Sequence, residues 1–280
     1  MPDWAVGVST GCFCQTPLVD VLEPIRASGF DQLEICSLPS HLDYHDGEAC
    51  ERAARRLVEL DLEAYSFHAP FADWIDVTAP DVDQRERSRA EIERALEAAA
   101  RIGALHFVLH PGPEASDLPR SERLDRMENA VAVLDRIARR CRELGLRLVL
   151  ENMLPHLFSG HVRELLWLLG ALDTAEVGVC LDTGHAFLSG DFATVAQKLS
   201  SHLWMVHASD NRGTFDDHLP PGDGVVPWEA LVRQLAEVHF DGAFVLEIAG
   251  GGTIDEVLAR ARRGRGHLRR VAHAFEIGNG

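Results

Sequence analysis

Val177-Gly-Val-Cys-Leu-Asp182 is a short apolar run closed by a carboxylate, and Thr183-Gly-His185 follows it at once. A run of this length between polar breaks reads as a strand buried on both faces, which belongs in a parallel sheet covered by helices. The same unit recurs outward in both directions. Candidate strands at 5–9, 32–36, 64–68, 106–110, 147–151, 177–182, 203–207 and 243–248 alternate with helical periodicities at 18–27, 49–60, 84–101, 121–144, 162–169, 192–199, 228–238 and 253–272. Gly29, Gly103 and Gly145 follow helical runs, where glycine supplies the left-handed stop. Eight strand–helix units predict an α/β fold, a closed (β/α)8 TIM barrel forming a single domain over residues 1–280.

Hydrophobic residues make up 46% of the chain and charged residues 25%, the proportions of a globular protein with a substantial core. The formal charge of -17 argues against a general binder of nucleic acid or anionic membrane, because neutralising phosphates takes a basic face. Met1-Pro-Asp-Trp4 has neither a basic nor an apolar leader region, and no window reaches the roughly 18 apolar residues that span a bilayer. A cytoplasmic location without a membrane partner is therefore expected. Cys12, Cys14, Cys36, Cys50, Cys141 and Cys180 are dispersed without CxxC pairs, so they read as reduced packing residues. The number of copies in the working assembly is left open, a homo-oligomer included.

A strand buried on both faces should be apolar throughout, so an ionisable residue at its C-terminal end needs a reason. Glu34, His68, His110, Glu151, Asp182, His207 and Glu247 all stand at or near such ends. Barrel closure brings these ends into one ring, where the carboxylates would repel one another without cations between them. Mixed His, Asp and Glu without cysteine suits zinc, manganese or cobalt. Loops add His185, three residues beyond Asp182, and the Asp216-Asp-His218 pair. Lys198, the only lysine, lies in a helical segment, which argues against Schiff-base chemistry.

These segments resemble the xylose isomerase-like TIM-barrel superfamily, which includes sugar phosphate isomerases/epimerases and endonuclease IV. The resemblance spans essentially the whole chain. Its most specific part is Val177-Gly-Val-Cys-Leu-Asp-Thr-Gly-His-Ala-Phe187, similar to the endonuclease IV signature, and His68-Ala-Pro70, His110-Pro-Gly112, Leu150-Glu-Asn152 and His207 with Asp216-Asp-His218 fit in order. The resemblance implies one metal held by His68, His110 and Glu151, with Glu151 bridging to a second held by Asp182, His207 and Glu247. It implies a third held by His185, Asp216 and His218. Full occupancy would mean up to three Zn2+. The sugar branch keeps the middle site with one Mn2+, Co2+ or Zn2+. Endonuclease IV presents basic loops to DNA, whereas Leu38-Pro-Ser-His-Leu-Asp-Tyr-His-Asp46 is acidic, and His207-Ala-Ser-Asp-Asn-Arg-Gly213 resembles the sugar branch.

The resulting expectation is a divalent-metal-dependent isomerase/epimerase acting on a small carbohydrate, a sugar, sugar phosphate or related polyol, by proton transfer through an enediolate. In that reading Glu151 and Glu247 move the proton, His185 orients or polarises a hydroxyl if it is not binding metal, Arg212 is the candidate to hold a phosphate, carboxylate or hydroxyl of the substrate, and Glu34 either contacts substrate, supports the ligands from behind or is simply paired. The alternative is an endonuclease IV-like multi-zinc phosphodiesterase in which Glu151 is a bridging ligand. A non-catalytic metal- or small-molecule-binding barrel is a third class.

Overall fold

The structure, a computed structural model, describes residues 4–114 and 120–278. Eight parallel strands close on themselves in chain order: β1 (Val6–Ser9), β2 (Gln32–Cys36), β3 (Glu63–His68), β4 (His106–Leu109), β5 (Arg147–Glu151), β6 (Val177–Asp182), β7 (Leu203–Ala208) and β8 (Ala243–Leu246). Around them run α1 (Leu18–Ala27), α2 (Gly47–Glu59), α3 (Val82–Ile102), α4 (Arg123–Glu143), α5 (Val162–Ala171), α6 (Thr183–Leu188), α7 (Phe192–Leu199), α8 (Trp228–Glu237) and α9 (Ile254–Gly278). This is the closed parallel barrel that the alternating pattern predicted. Among the described residues no helix is long and apolar enough to cross a membrane.

Element ends differ from the sequence reading by a few residues, for local reasons. Asp46 and Asp81 cap α2 and α3 by accepting from Glu48 N and Gln84 N, so both helices begin two residues earlier than the apolar period suggested. Strand β4 stops at Leu109 and β8 at Leu246, so His110 and Glu247 stand just beyond the ladder, where the backbone turns toward the mouth. Helix α9 continues past 272 to Gly278. The six-residue α6 starts at Thr183, where the sequence has a helix beginning just before His185, and it is too short to show a helical period of its own.

The two-residue period of the strands decides what the barrel holds. Tyr65, Val108, Val149, Cys180, Met205 and Val245 pack together as one cluster inside the ring. The residues alternating with them, such as Phe107, Leu148, Leu150, Val179, Leu181 and Phe244, belong to the larger core beneath the helices. Two positions beyond the inward Val108, Val149, Cys180, Met205 and Val245 come His110, Glu151, Asp182, His207 and Glu247. The polar ring is thus the next layer above an apolar plug, on the C-terminal side where barrels of this kind build their sites.

Two strand pairings are irregular. The β2–β3 register shifts between Leu33 and Glu34, so that Glu34 stands opposite Ser66 with Tyr65 passed over. The β6–β7 register shifts between Val179 and Cys180, which sets Asp182 opposite His207. Such bulges re-aim side chains, and these two lie in the staves that carry part of the polar ring.

Candidate metal centre at the barrel mouth

Strand β6 passes into α6 with no intervening loop, because Asp182 serves both elements. Its Oδ1 accepts from His185 N as the helix N-cap, while its backbone is held by the side chain of Asn152, which donates to Asp182 O and accepts from Asp182 N. The Thr183 hydroxyl reaches the carbonyls of His207 and Ser209 and ties this turn to β7. The tight connection brings His185 back over the ring.

Glu151 is the hub of the geometry. Its Oε2 lies 3.4 Å from His68 Nε2, 3.5 Å from His110 Nε2 and 3.4 Å from His207 Nδ1, and its Oε1 lies 3.6 Å from His185 Nδ1. His207 Nδ1 is also 3.1 Å from Glu247 Oε2. On the outer side, Asp216 Oδ2 is met by His185 Nε2 at 3.2 Å and His218 Nε2 at 2.9 Å. All nine residues expected to hold metal therefore converge in one continuous cluster.

Four of the five imidazoles in the cluster have a hydrogen-bond partner at the second nitrogen. His68 Nδ1 faces Ala69 O, His185 Nδ1 faces Asn152 O, His218 Nδ1 faces Glu247 O and His207 Nε2 faces Glu34 Oε2, all at 2.9 to 3.1 Å. Glu114 Oε1 lies 3.1 Å from His110 Nδ1. An imidazole that gives one N–H to such an acceptor turns a fixed lone pair the other way, the arrangement of metal-ligating histidines.

The protein groups perturb one another strongly. Burial pushes the Glu151 and Glu247 carboxyls up, but the His207 imidazole beside them reverses this, leaving Glu151 well below the usual range and Glu247 lowered to about 2. Burial raises Asp182 to about 6 despite His185, helped by the nearby Glu151 and Glu247 charges. Burial disfavours the charged form of His110 and His218, yet the adjoining carboxylates outweigh it and raise them to about 9 and about 10. This gathering of offsetting charge at a largely buried cluster is a mark of functional sites.

Glu151 Oε2, Asp182 Oδ2 and His207 Nδ1 are buried polar atoms without a hydrogen-bond partner. One donor atom from each of Glu151, Asp182, His207 and Glu247 lies within 4.8 Å of the others, as does one from each of His68, His110 and Glu151. Orphaned buried donors are costly unless something satisfies them, and an all-N/O set of this kind fits a borderline divalent ion. Of the three groupings that the sequence implied, the middle one and that of His68, His110 and Glu151 bring their ligand atoms close enough to fit a metal, whereas His185, Asp216 and His218 are joined only by the two imidazole contacts to Asp216 Oδ2.

Over the cluster lies a cavity of about 340 Å³, lined by ionisable residues of the ring such as His68, His110, Glu151, His185, Asp216 and Glu247 and also by Phe71, Met153, Leu154, His156 and Leu157. Among the described residues its lining has no lysine or arginine. Two expected substrate contacts do not reach it. Arg212 is 65% exposed on the β7–α8 loop, where Asp217 takes its backbone N–H and lies 3.8 Å from its guanidinium. Glu34 is fully buried below His207, away from the cavity wall. Sequence reasoning also passed over His156, Glu114 and Asn152. Only Asn152 left a trace, inside the quoted Leu150-Glu-Asn152 segment.

Comparison with known proteins agrees with the fold. Residues 22–271 match the family described as xylose isomerase-like TIM barrel. The chain is 29% identical to MJ1311 of Methanocaldococcus jannaschii over 88% of this chain and 84% of that one, and 28% identical to a probable endonuclease 4 of Mycobacterium tuberculosis over 68% and 75%. Among solved structures it resembles a D-tagatose 3-epimerase-like protein, with TM-score 0.83, 24% identity and coverage of 96% and 98%. It also resembles the TTHB071 protein of Thermus thermophilus in crystals soaked with zinc chloride, with TM-score 0.68, 25% identity and coverage of 93% and 98%.

Proposed function

Because the chain belongs to the xylose isomerase-like TIM barrel family, we propose that it is a divalent-metal-dependent isomerase or epimerase of a sugar or related polyol. The observation that carries this reading is the cavity of about 340 Å³ over Glu151 and Glu247, sized for a monosaccharide and bounded by Phe71, Met153 and Leu157. A sugar can meet apolar lining of this kind with its C–H groups and the carboxylates and imidazoles with its hydroxyls. The fold shared with a D-tagatose 3-epimerase-like protein supports the same substrate class.

Glu151, Asp182, His207 and Glu247 would hold the ion. When bound, a divalent ion supplies Lewis acidity toward adjacent carbonyl and hydroxyl oxygens. The remaining work falls to the chain. Glu151 ends β5 and Glu247 follows β8, and both carboxylates approach His207 Nδ1; in this reading each serves one face of the substrate. One carboxylate takes the proton from the carbon beside the carbonyl, the C–H electron pair becomes a C=C bond, and the carbonyl π pair moves onto its oxygen to give an enediolate. The other carboxylate returns a proton to the opposite face, and exchange with water restores both groups. His185, held by Asn152 O, hydrogen-bonds a substrate hydroxyl.

The test is deuterium uptake from D2O at the carbon beside the carbonyl, with a panel of ketoses and the Mn2+-loaded protein. Uptake that disappears in Glu151→Gln supports the reading. A second reading, phosphodiester hydrolysis on three metals, is favoured by one observation, the Asp216 carboxylate shared by His185 and His218. Cleavage of abasic-site duplex DNA by the zinc-loaded protein, lost in Glu151→Gln and with no ketose exchange, would replace the first reading by the second.

A further inference from the structure

Glu34 belongs to none of the metal groupings and does not line the cavity, yet it is a carboxylate with 0% exposure in the middle of a barrel stave. A charge so buried needs partners of matching strength. It has two, both on one oxygen: Ser66 Oγ donates to Glu34 Oε2 at 2.9 Å, and His207 Nε2 lies 2.9 Å from the same atom. The β2–β3 bulge makes the contact available. With the register shifted after Leu33, Glu34 and Ser66 become direct neighbours facing the interior, while the Tyr65 side chain joins the apolar plug. The β6–β7 bulge brings His207 beside Asp182 from the other side.

We infer that Glu34 is the positioning residue of the middle metal site, accepting a hydrogen bond from His207 Nε2–H so that Nδ1 presents its lone pair toward Glu151 and Glu247. His207 is the only imidazole in that site, and the other members are carboxylates whose oxygens adapt by rotation. An imidazole cannot adapt in this way, because a flipped or differently protonated ring offers N–H where a lone pair is needed. Glu34 fixes the ring and, as an anion, makes its donor nitrogen a stronger base. Ser66 in turn fixes Glu34. The chain His207–Glu34–Ser66 thus runs from β7 across the barrel axis to β2 and β3, and links the ligand to the opposite wall.

The inference rests on the reading that Glu151, Asp182, His207 and Glu247 hold a divalent ion, and the experiment separates the two. Mn2+ is titrated into metal-stripped wild type, Glu34→Gln and Ser66→Ala, with free ion read by electron paramagnetic resonance and the unfolding temperature of each metal-free protein measured alongside. Glutamine keeps an acceptor for His207 and removes the charge. The expected result is Mn2+ affinity lowered about 10- to 100-fold in Glu34→Gln, a smaller drop in Ser66→Ala, and metal-free unfolding temperatures close to wild type. Wild-type affinity in folded Glu34→Gln overturns the inference, as does lowered metal-free stability with affinity unchanged. If Glu34→Gln does not fold, Ser66→Ala decides alone: an unchanged Mn2+ affinity overturns the inference. Wild type that binds no Mn2+ overturns the metal reading itself and this inference with it.

Discussion

Replacing Asp210 with alanine should destabilise the protein far more than its place in a loop suggests. Asp210 is fully buried, and its carboxylate accepts four N–H donors at 2.9 Å: Asn211 N and Val226 N on Oδ1, Gly222 N and Trp228 Nε1 on Oδ2. Its backbone pairs both ways with Leu219, and Gly224 passes so close that a Cβ there would come within 2.3 Å of Oδ1. The β7–α8 loop, which carries Asp216 and His218, is therefore wound around one carboxylate. Hydrogen bonds to charged groups contribute about 1.5–3 kcal/mol each, and stripping one partner from a buried charged network costs about 3–5 kcal/mol in total. With an unfolding entropy of about 2.1 cal/mol/K per residue, this chain should lose about 5–8 °C in Tm. Asp210→Asn should lose roughly half as much, since its NH2 faces two donors it cannot accept from. Circular dichroism melts and urea titrations of both variants measure the effect. A loss below about 1 kcal/mol in Asp210→Ala would refute the account, because solvent would then be replacing the carboxylate at negligible cost.

Further outcomes follow from the same geometry. Gly178→Ala in β6 places a Cβ 2.1 Å from Trp204 Cδ2, and the repacking should cost about 1–3 kcal/mol in a urea titration. Removing a divalent ion held at 100 times its Kd forfeits about 2.7 kcal/mol, so a chelator should lower Tm by about 4–5 °C relative to excess Mn2+, and identical melts would count against any resident metal. Glu247→Gln should keep its fold by circular dichroism while turnover on an active ketose falls by about 100-fold or more, and full activity would remove Glu247 from the proton path.

Much of this architecture was legible because buried parallel strands write themselves as short apolar runs, and an ionisable residue at the end of such a run is conspicuous. His110, Glu151, Asp182, His207 and Glu247 were found that way, and their common inward face follows from the two-residue period alone. The role of Glu34 was not legible. It depends on a bulge after Leu33, and nothing in Gln32-Leu-Glu-Ile-Cys36 marks where the register slips. Arg212 misled in the opposite sense, since a charged side chain in a loop can turn to solvent as easily as to a cavity, and Asp217 draws it outward. His156 carried no pattern at all, because a loop side chain reaches the wall only through the path of the backbone.

The occupied second nitrogens of the imidazoles make neighbouring stations of the cluster mechanically dependent. His185 is moored to the carbonyl of Asn152, adjacent to Glu151, and His218 to the carbonyl of Glu247 itself. Each outer ring thus hangs from the peptide that carries a ligand of the inner station, or from the one next to it. A shift of the backbone at Asn152 or at Glu247 therefore carries the ring of His185 or of His218 with it, so the rim of the cluster inherits its geometry from the two strand ends beneath it.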